Sequence, residues 1–436
     1  MAEIAAMLPL RYRDNALLER LVAPPYDVID AAQRAELAAR HPQNVVHIDL
    51  PAGDGDARYE NARRLFLSWQ EQGVLVRESE PALFRHAQSF EPPGGGERLV
   101  RKGFFALVRA VPFSERQVLP HEKTLTGPKL DRIKLSRATR ATLSPQFMLY
   151  SDPRRALDAA LDSGQEFADF STPDGVRHQL FRVTKKDAIR EVVSAIGKGS
   201  LLIADGHHRY ETAVALAQEI DEAATGQGRA PGPRAEHRFT YALLTNGDDP
   251  SLVVFPTHRL VHSLESFDPE AFGRRASELF ELRAVSGGAD ELRALLAKES
   301  RPALLAVSAG GKKTLLVLRS DVDLSEHPVL KKRPAVVRKT AVALLHDGLL
   351  EHVLGITPEA QAAKTNLKYP QDARLAIQAV ERGEGQILFL MNPTPVSTIR
   401  EVADAAEVMP QKSTYFYPKV LTGLLFHTLL PEREVP

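Results

Sequence analysis

The sequence predicts an α/β fold of the α+β type, with a mixed sheet and a second αβ domain. Residues 201–204 form a short apolar run, and apolar residues then recur at helical spacing over 210–217. Residues 82–90 and 99–111 are strand-like runs around a Pro-Gly-rich stretch, which is typical of a hairpin. After residue 267, short apolar runs alternate with helical patterns, which favours a second packed αβ unit.

The other elements follow from the same two periodicities. Helices are predicted where apolar residues recur every three to four positions, over 31–39, 58–73, 185–196, 269–280, 336–350, 373–381 and 396–405. Strands are predicted at short apolar runs, over 45–50, 181–183, 239–245, 252–256, 303–307, 314–318 and 387–391. Neither pattern is clear in 119–150 or 223–234, so both segments are predicted to be irregular, and 92–96 is predicted to be a flexible tip.

The composition limits the class of protein. The chain has 436 residues, with 56 Lys plus Arg against 56 Asp plus Glu. Because there is no basic excess, nucleic acid is not an expected partner. Cysteine is absent, which rules out disulfides, thiolate zinc sites and a thiol nucleophile.

Length and changes in character predict three segments. Residues 1–115 are expected to pack on a core formed by 116–265, and 266–436 are expected to form the second αβ domain. No apolar run approaches the roughly twenty residues of a membrane span, so no membrane partner is expected. Residues 1–10 lack a basic leader with a long apolar core, so we expect no signal peptide and a cytoplasmic protein.

The most informative stretch follows the apolar run at 201–204. Asp205 is a plausible N-cap, and Gly206 allows a sharp turn into a helix. The first turn of that helix then carries His207, His208 and Arg209, where free backbone N–H groups and the helix dipole favour an anion. The Arg209 guanidinium and the two imidazoles could bind a phosphate together with these N–H groups, and they could donate protons to it.

Three further groups of polar residues are candidates for the same site. Each also has a structural explanation: a Pro-stiffened turn, a solvated charged loop, or an exposed strand end. A rigid Pro-Pro loop carries Tyr26 and Asp27. The irregular segment carries His121, Glu122 and Thr124, and Glu122 could be a general base or a magnesium ligand. A second His-Arg pair, His258 and Arg259, could add a basic contact to the anion.

The tail at 409–419 is again polar and resembles a site in composition. It offers cations and hydroxyl groups for a phosphate, namely Lys412, Ser413, Thr414 and Lys419. A Pro-bounded aromatic edge strand is the structural alternative. If the segment is functional, the tail of the C-terminal domain could return to the site.

Five motifs together identify the chain as resembling a large prokaryotic family of unknown function. They are the stretches 23–28, 121–124, 205–213, 256–259 and 412–419, and the central one reads Asp-Gly-His-His-Arg-Tyr-Glu-Thr-Ala. That family is similar in turn to the ParB/sulfiredoxin-like fold, and to its branch of free serine kinases. The resemblance implies a ParB/sulfiredoxin-like core over 116–265 and phosphoryl transfer on a free amino acid, either as a serine kinase or as a phosphoserine phosphatase.

The resemblance also implies roles for individual residues. Arg209 would clamp a phosphate, His207 and His208 would stabilise charge or carry a proton, and Asp205 would hold Mg²⁺ or activate the serine hydroxyl. ADP or ATP would be the nucleotide, and serine or phosphoserine the substrate; a homodimer is left open. Glu122 is the weakest assignment, because the catalytic glutamate of the kinases has no secure counterpart here.

Two other functions stay open from the sequence. The first is a nucleotide-binding clamp or regulatory module of the ParB kind, which the neutral charge balance disfavours. The second is a metal-dependent hydrolase that uses His121, His207, His208 and His258, although adjacent histidines are not a usual ligand spacing on a helix.

Overall fold

A computed structural model of the protein describes residues 1–92, 96–124 and 126–436. The described residues divide into two compact units. Unit 1 comprises Met1–Leu119, Thr124–Val253 and Pro418–Pro436, and unit 2 comprises Pro120–Lys123 and Val254–Tyr417. The division into three segments at 115 and 265 stays a prediction. Most of the predicted flexible tip at 92–96 lies outside the described residues.

The strands follow one another along the chain with these bounds: β1 (Ile4–Ala5), β2 (Leu10–Tyr12), β3 (Leu75–Arg77), β4 (Leu83–Phe90), β5 (Leu99–Arg109), β6 (Val118–Leu119), β7 (Ala141–Thr142), β8 (Gln146–Tyr150), β9 (Gln165–Ser171), β10 (Arg177–Val183), β11 (Leu201–Asp205), β12 (Phe239–Asn246), β13 (Val253–Phe255), β14 (Arg259–Val261), β15 (Phe280–Val285), β16 (Ala303–Ser308), β17 (Lys313–Leu318), β18 (Leu367–Lys368), β19 (Ile387–Met391), β20 (Tyr415–Tyr417) and β21 (His427–Thr428).

The α-helices are α1 (Leu18–Leu21), α2 (Ala31–Arg40), α3 (Val46–Asp49), α4 (Ala57–Glu71), α5 (Thr126–Thr139), α6 (Asp158–Leu161), α7 (Lys186–Ile196), α8 (His207–Gly226), α9 (Pro269–Ala276), α10 (Ala289–Ala297), α11 (Ala335–Arg338), α12 (Ala341–Ala343), α13 (Pro358–Ala363), α14 (Ala373–Glu381) and α15 (Val396–Asp404). Short 3₁₀ turns lie at Asn15–Leu17, Tyr26–Val28, Phe113–Glu115, Glu236–Arg238 and Leu330–Lys332, and a π-helix spans Leu344–Val353. None of the helices in the described ranges has both the length and the apolar character needed to cross a bilayer.

Unit 1 is built on one large mixed sheet, so the predicted mixed α/β architecture is confirmed. The strand order is β6-β11-β8-β12-β5-β4-β10-β9, and β1 also pairs with β5. The β11–β6 and β12–β8 pairs are parallel, and the other pairs in this sheet are antiparallel. The hairpin predicted from residues 82–111 is the antiparallel pair of β4 and β5.

The two faces of this sheet differ in chemistry. Phe104 and Ala106 belong to the apolar core of the unit. Because side chains alternate along a strand, Arg101 and Phe105 lie on the other face. That second face bears the polar groups described below.

A bulge brings Asp205 to the polar face. Leu201 and Ile203 are core residues, so strict alternation would direct Asp205 into the core as well. The register between β11 and β8 shifts between Ile203 and Asp205, and Asp205 pairs with Phe147 instead. Bulges of this kind re-aim a side chain at the end of a strand.

Unit 2 contains a smaller antiparallel sheet with the order β15-β17-β16-β19-β14-β18. Helices α10 and α14 pack on it through Leu292, Ile377 and Val380, which share a core with the strand residues Leu305 and Leu388. The αβ alternation predicted after residue 267 thus forms a packed layer of its own.

Several predicted elements are wrong in type or length. The strand predicted at 45–50 is helix α3, because the Asn44 side chain accepts a hydrogen bond from the Val46 N–H at 2.9 Å and bends the chain into a turn. The segment 119–150 is not irregular throughout: it contains α5 and β8. Its helical pattern was hidden because the buried face of α5 includes a charged residue, Arg132.

Other errors concern where elements end. Helix α8 continues to Gly226, beyond the predicted start of a loop at 223, whereas α9 ends at Ala276 and Phe280 begins β15. The helix predicted over 336–350 is divided into α11, α12 and the π-helix. Apolar residues recur on both sides of these boundaries, so their spacing did not mark where each element ends.

We expect Gly103→Ala to destabilise unit 1. A Cβ at Gly103 would lie 2.5 Å from Thr245 Oγ1 and 2.8 Å from the Leu244 carbonyl oxygen, both on the neighbouring strand. Overpacking of this kind costs about 1–3 kcal/mol. Trp69, the only tryptophan, is buried in unit 1, so its fluorescence during urea unfolding measures the change. Gly199→Ala is the control, because nothing lies within 4 Å of its Cβ position; equal midpoints for the two variants would contradict the packing described.

Candidate functional site

The turn between β11 and α8 is set by a glycine. Gly206 has φ +94° and is the N-cap residue of α8, so the predicted cap at Asp205 is wrong. No side chain caps this helix, because the Asp205 carboxylate faces other partners. A Cβ at residue 206 would lie 3.0–3.1 Å from atoms of the Arg209 guanidinium. The glycine therefore supplies a left-handed turn and room for the arginine.

Asp205 forms the centre of a charged cluster in unit 1. Lys419 donates from Nζ to Asp205 Oδ2 at 2.6 Å, and Arg209 Nη2 lies 3.4 Å from Oδ1. The side chains of Lys419 and Asp205 are only 16% and 19% exposed. The structure thus brings together three of the predicted site residues, and one of them comes from the polar tail.

Arg209 is buried rather than exposed at the surface. It is 7% exposed, and its Nη1 donates to the Pro145 carbonyl oxygen in addition to the contact with Asp205. These bonds fix the guanidinium against unit 1 and orient the Asp205 carboxylate. Its predicted contact with a phosphate stays a prediction.

A second buried arginine was missed by the sequence reasoning. Arg101 is 1% exposed, donates from Nε to Gln88 Oε1 at 3.1 Å, and stacks on the Phe147 ring at 4.6 Å. Its Nη1 has no hydrogen-bond partner in the described part of the chain. Burial lowers the pKa of Arg101, and the nearby Asp205 carboxylate raises it. The available signal was an arginine at alternate spacing with Phe105 in a strand pattern.

Gln88 connects this arginine to the tail. Its Oε1 accepts from Arg101, and its Nε2 donates to the Lys419 carbonyl oxygen at 3.3 Å. Because the same amide contacts the Arg101 guanidinium and the Lys419 backbone, it helps to fix the chain segment that carries Lys419. Gln88 was also missed, since neither partner is near it in sequence.

The Pro-Pro loop places Tyr26 beside this cluster. The Arg132 guanidinium stacks on the Tyr26 ring at 4.1 Å and also donates to Asp49 Oδ1 at 3.1 Å. Burial, together with the charge of Asp27, raises the pKa of Tyr26 to about 12, although Arg132 and Arg209 act in the opposite direction. The Tyr26 hydroxyl is therefore a neutral donor at ordinary pH.

Thr124 and α8 are joined by a hydrogen bond in unit 1. The Thr124 hydroxyl lies 3.0 Å and 3.1 Å from the two carboxylate oxygens of Glu211, and Lys129 Nζ lies 3.0 Å from Glu211 Oε2. His207 is buried and His208 is half-buried in the first turn of the same helix. Two of the motifs thus meet at the start of α8.

The remaining candidates lie in unit 2. There the His121 ring lies 2.9 Å from Thr414 Oγ1, and Glu122 Oε1 accepts from the Thr414 backbone N–H at 3.1 Å. The neighbouring Ser413 hydroxyl donates to the Pro410 carbonyl oxygen. These residues hold the tail segment against the strand-like stretch at 120–123.

The His258–Arg259 pair is buried rather than exposed at a strand end. Arg259 donates to the Lys412 carbonyl oxygen at 2.9 Å, to the Thr257 carbonyl oxygen and to His346 Nε2. Burial lowers the pKa of His258 to about 3, and the charge of Arg259 lowers it as well. The predicted phosphate contacts of these residues, and of Lys412, Ser413 and Thr414, stay predictions.

The possible metal ligands do not form a complete protein cage. In the described ranges, no group of three or more His, Asp or Glu side chains is arranged to hold a metal ion. The four histidines of the hydrolase alternative are divided between the units, with His207 and His208 in unit 1 and His121 and His258 in unit 2.

The family of the chain follows from its match to a family model. The model described as "Protein of unknown function (DUF1015)" matches residues 4–342. The chain belongs to this family. Membership of a family of unknown function, predicted from the five motifs, is therefore confirmed. None of the curated proteins matches the chain.

Solved structures similar to this DUF1015 member include three that are distant in sequence. A free serine kinase in complex with AMP is 12% identical, covers 76% of this chain and 91% of its own, and has a TM-score of 0.37. A conserved hypothetical protein from Pyrococcus furiosus is 13% identical, with 73% and 95% covered and a TM-score of 0.36. SbnI with a C-terminal truncation, from Staphylococcus aureus, is 9% identical, with 74% and 87% covered and a TM-score of 0.37.

We expect Gly206→Ala to destabilise this DUF1015 protein by about 1–2 kcal/mol, because an L-residue is strained at positive φ and its Cβ would displace the Arg209 guanidinium. Urea unfolding followed by Trp69 fluorescence measures the loss. The matched control is Gly226→Ala at the other end of α8, where nothing lies within 4 Å of the added Cβ. If the position 206 variant were as stable as this control, the turn would not be constrained as described.

Proposed function

We propose that the Asp205 cluster in unit 1 binds the phosphates of ADP or ATP, and that the protein transfers a phosphoryl group to or from a free amino acid, most simply serine. The observation that carries this proposal is the buried, incompletely paired guanidinium of Arg101 near Asp205. Asp205 interacts with three cations, Arg101, Arg209 and Lys419. Arg101 is 1% exposed, and its Nη1 has no hydrogen-bond partner in the described ranges.

A buried guanidinium with an unpaired donor is costly without a further anion. Removing cations from water carries a penalty of several kcal/mol per ion unless hydrogen-bonded counter-charges offset it. Arg101 lacks such a counter-charge in the described ranges: its side-chain acceptor there is the neutral amide of Gln88, and its Nη1 has no hydrogen-bond partner. A phosphate group supplies both negative charge and several strong acceptor oxygens. The first turn of α8 adds backbone N–H groups that have no acceptor inside a helix.

The proposed chemistry assigns a role to each group. In the kinase direction, the serine hydroxyl oxygen bonds to the terminal phosphorus of the nucleotide, and the bond from that phosphorus to its bridging oxygen breaks. The hydroxyl proton passes to the Asp205 carboxylate, which Lys419 releases as its ammonium moves to the phosphate. The cations stabilise charge on the equatorial oxygens, where phosphoryl transfer needs it most.

The phosphatase direction uses the same residues. Water bonds to the phosphorus of phosphoserine and gives a proton to the Asp205 carboxylate, the phosphorus–oxygen bond to serine breaks, and the serine oxygen takes that proton from Asp205. His207 and His208, at the start of α8, are proposed to share the charge stabilisation and the proton traffic. Tyr26, Asp27 and Thr124, which also lie in unit 1, are proposed to contact the amino acid. The assignment of His121 to the substrate stays a prediction from the sequence.

Mg²⁺ is also part of the proposal. Mg²⁺ is commonly held by one or two carboxylates together with substrate phosphates, so a single carboxylate such as Asp205 fits an ion that arrives with the nucleotide. The catalytic role of Glu122, which lies in unit 2, stays a prediction from the sequence. A ParB/sulfiredoxin-like fold of the core and a cytoplasmic location are also part of the proposal.

We expect Asp205→Asn to lower turnover by roughly 10²–10⁴-fold, the usual contribution of a general base. The purified chain is incubated with Mg²⁺, L-serine and ADP or ATP, and separately with phosphoserine, and both amino acids are quantified by mass spectrometry. Asp187→Asn, an exposed carboxylate on α7, is the matched control and should keep full activity. No turnover by the unsubstituted protein with any of these pairings would contradict the proposed reaction; nucleotide binding alone would favour the clamp alternative.

We expect Arg101→Met to separate binding from stability. Replacing a buried, incompletely paired charge by an apolar side chain is often neutral or stabilising, so the urea midpoint should not fall. The affinity for ADP should fall roughly tenfold or more, because a charge-assisted interaction is lost. Calorimetric titration measures the affinity, and Arg190→Ala, an exposed arginine on α7, is the control. Unchanged ADP affinity in a stable Arg101→Met variant would remove Arg101 from the site.

A further inference from the structure

A cavity in unit 1 lies beside the C-terminal part of α8, beyond the residues of the Asp205 cluster. Its volume is about 460 Å³, within the range of small-molecule sites. It is bordered by the C-terminal half of α8, the end of α5 and the chain around Leu429–Glu432. Leu216, the lining residue nearest the start of α8, follows the first residue of the helix by nine positions, which is roughly 14 Å at 1.5 Å per residue. The cavity therefore begins more than two helical turns from the Asp205 end of α8.

The walls of this cavity are mainly apolar. Leu216 and Leu429 are buried at its base, and Ile220, Ala224 and Pro431 continue the apolar lining. Apolar surface of this kind favours a hydrocarbon chain or ring over water.

The rim of the cavity carries unequal numbers of positive and negative side chains. Arg137 and Glu219 form a bidentate pair with both distances 2.7 Å, so they offset each other. Of the remaining charged residues on the lining, Arg140 and Arg229 are cations and Glu432 is an anion. The rim thus keeps one positive charge, and no hydrogen bond or ion pair of the Arg140 guanidinium occurs in the described ranges.

Arg140 occupies an unusual backbone position. It directly follows α5 with φ 49°, a left-handed conformation that glycine usually takes after a helix. Its carbonyl oxygen accepts from the Leu429 N–H at 2.8 Å, which fixes the residue at the rim. Other cations of the chain, such as Arg116 and Lys364, adopt the same conformation, so it positions the Arg140 side chain without by itself marking a function.

From these observations we propose that the cavity binds a small amphipathic anion, with an apolar chain in the pocket and a carboxylate or phosphate head on Arg140. This inference is independent of the proposed phosphoryl transfer, since it concerns a different place in unit 1. An apolar body with an anionic head is the one class of ligand that satisfies both the lining and the rim.

The test is calorimetric titration of the full chain with octanoate, octyl phosphate and octan-1-ol. Both anions should bind with one site per chain, the alcohol at least tenfold more weakly, and the stronger anion identifies the head group. Decanoate should bind roughly tenfold more tightly than octanoate, because it buries two more methylene groups.

Arg140→Gly should weaken the binding of both anions by about tenfold or more and leave the binding of the alcohol unchanged. The midpoint of thermal unfolding of this variant should not fall, because glycine adopts a positive φ without steric strain.

Two further variants make the result specific. Ala224→Trp should fill the pocket and abolish binding of all three compounds, while Lys419→Gln, at the Asp205 cluster, should leave octanoate binding unchanged. The proposal is overturned if neither anion binds, or if a folded Arg140→Gly variant binds them as the unsubstituted chain does. It is equally overturned if Lys419→Gln removes octanoate binding, because the anion would then lie at the Asp205 cluster.

Discussion

The bulge that brings Asp205 to the polar face of the sheet is the constraint on which the candidate site depends. Without the register shift after Ile203, the carboxylate would lie in the apolar core, where no cation could reach it. The left-handed turn at Gly206 then starts α8 immediately and leaves space for Arg209. One irregular step in a strand thus sets the position of a carboxylate, a helix start and a buried arginine.

Around that carboxylate, the cations are positioned by different parts of unit 1. Arg101 comes from strand β5, Arg209 from α8 and Lys419 from the C-terminal tail. The Gln88 side-chain amide contacts both the Arg101 guanidinium and the Lys419 backbone carbonyl. Such a site cannot relax easily, since each charge is fixed by an element with its own packing. A preorganised site that is rich in cations is suited to binding phosphate, because its dipoles need no rearrangement when the anion binds.

The sequence predicted what local patterns can encode. The strand before Asp205, the glycine turn and the following helix all have short-range signals, and so do the β4–β5 hairpin and α4. Arg101, Gln88 and Asp49 were missed because their partners lie far away in the chain. Helix α5 was missed because its buried face includes Arg132, whose charge is accommodated by Asp49 rather than exposed. The buried state of Arg209 and Arg259 was also beyond local reasoning, since burial depends on what packs above a residue.

The most direct measurement of the central idea is a crystal structure of the protein with ADP. The account predicts that the terminal phosphate lies within about 3 Å of Lys419 Nζ and of backbone N–H groups in the first turn of α8. It also predicts that the bond from Lys419 to Asp205 is lengthened or broken. A nucleotide bound elsewhere, or none at saturating ADP with the Lys419–Asp205 bond intact, would contradict it.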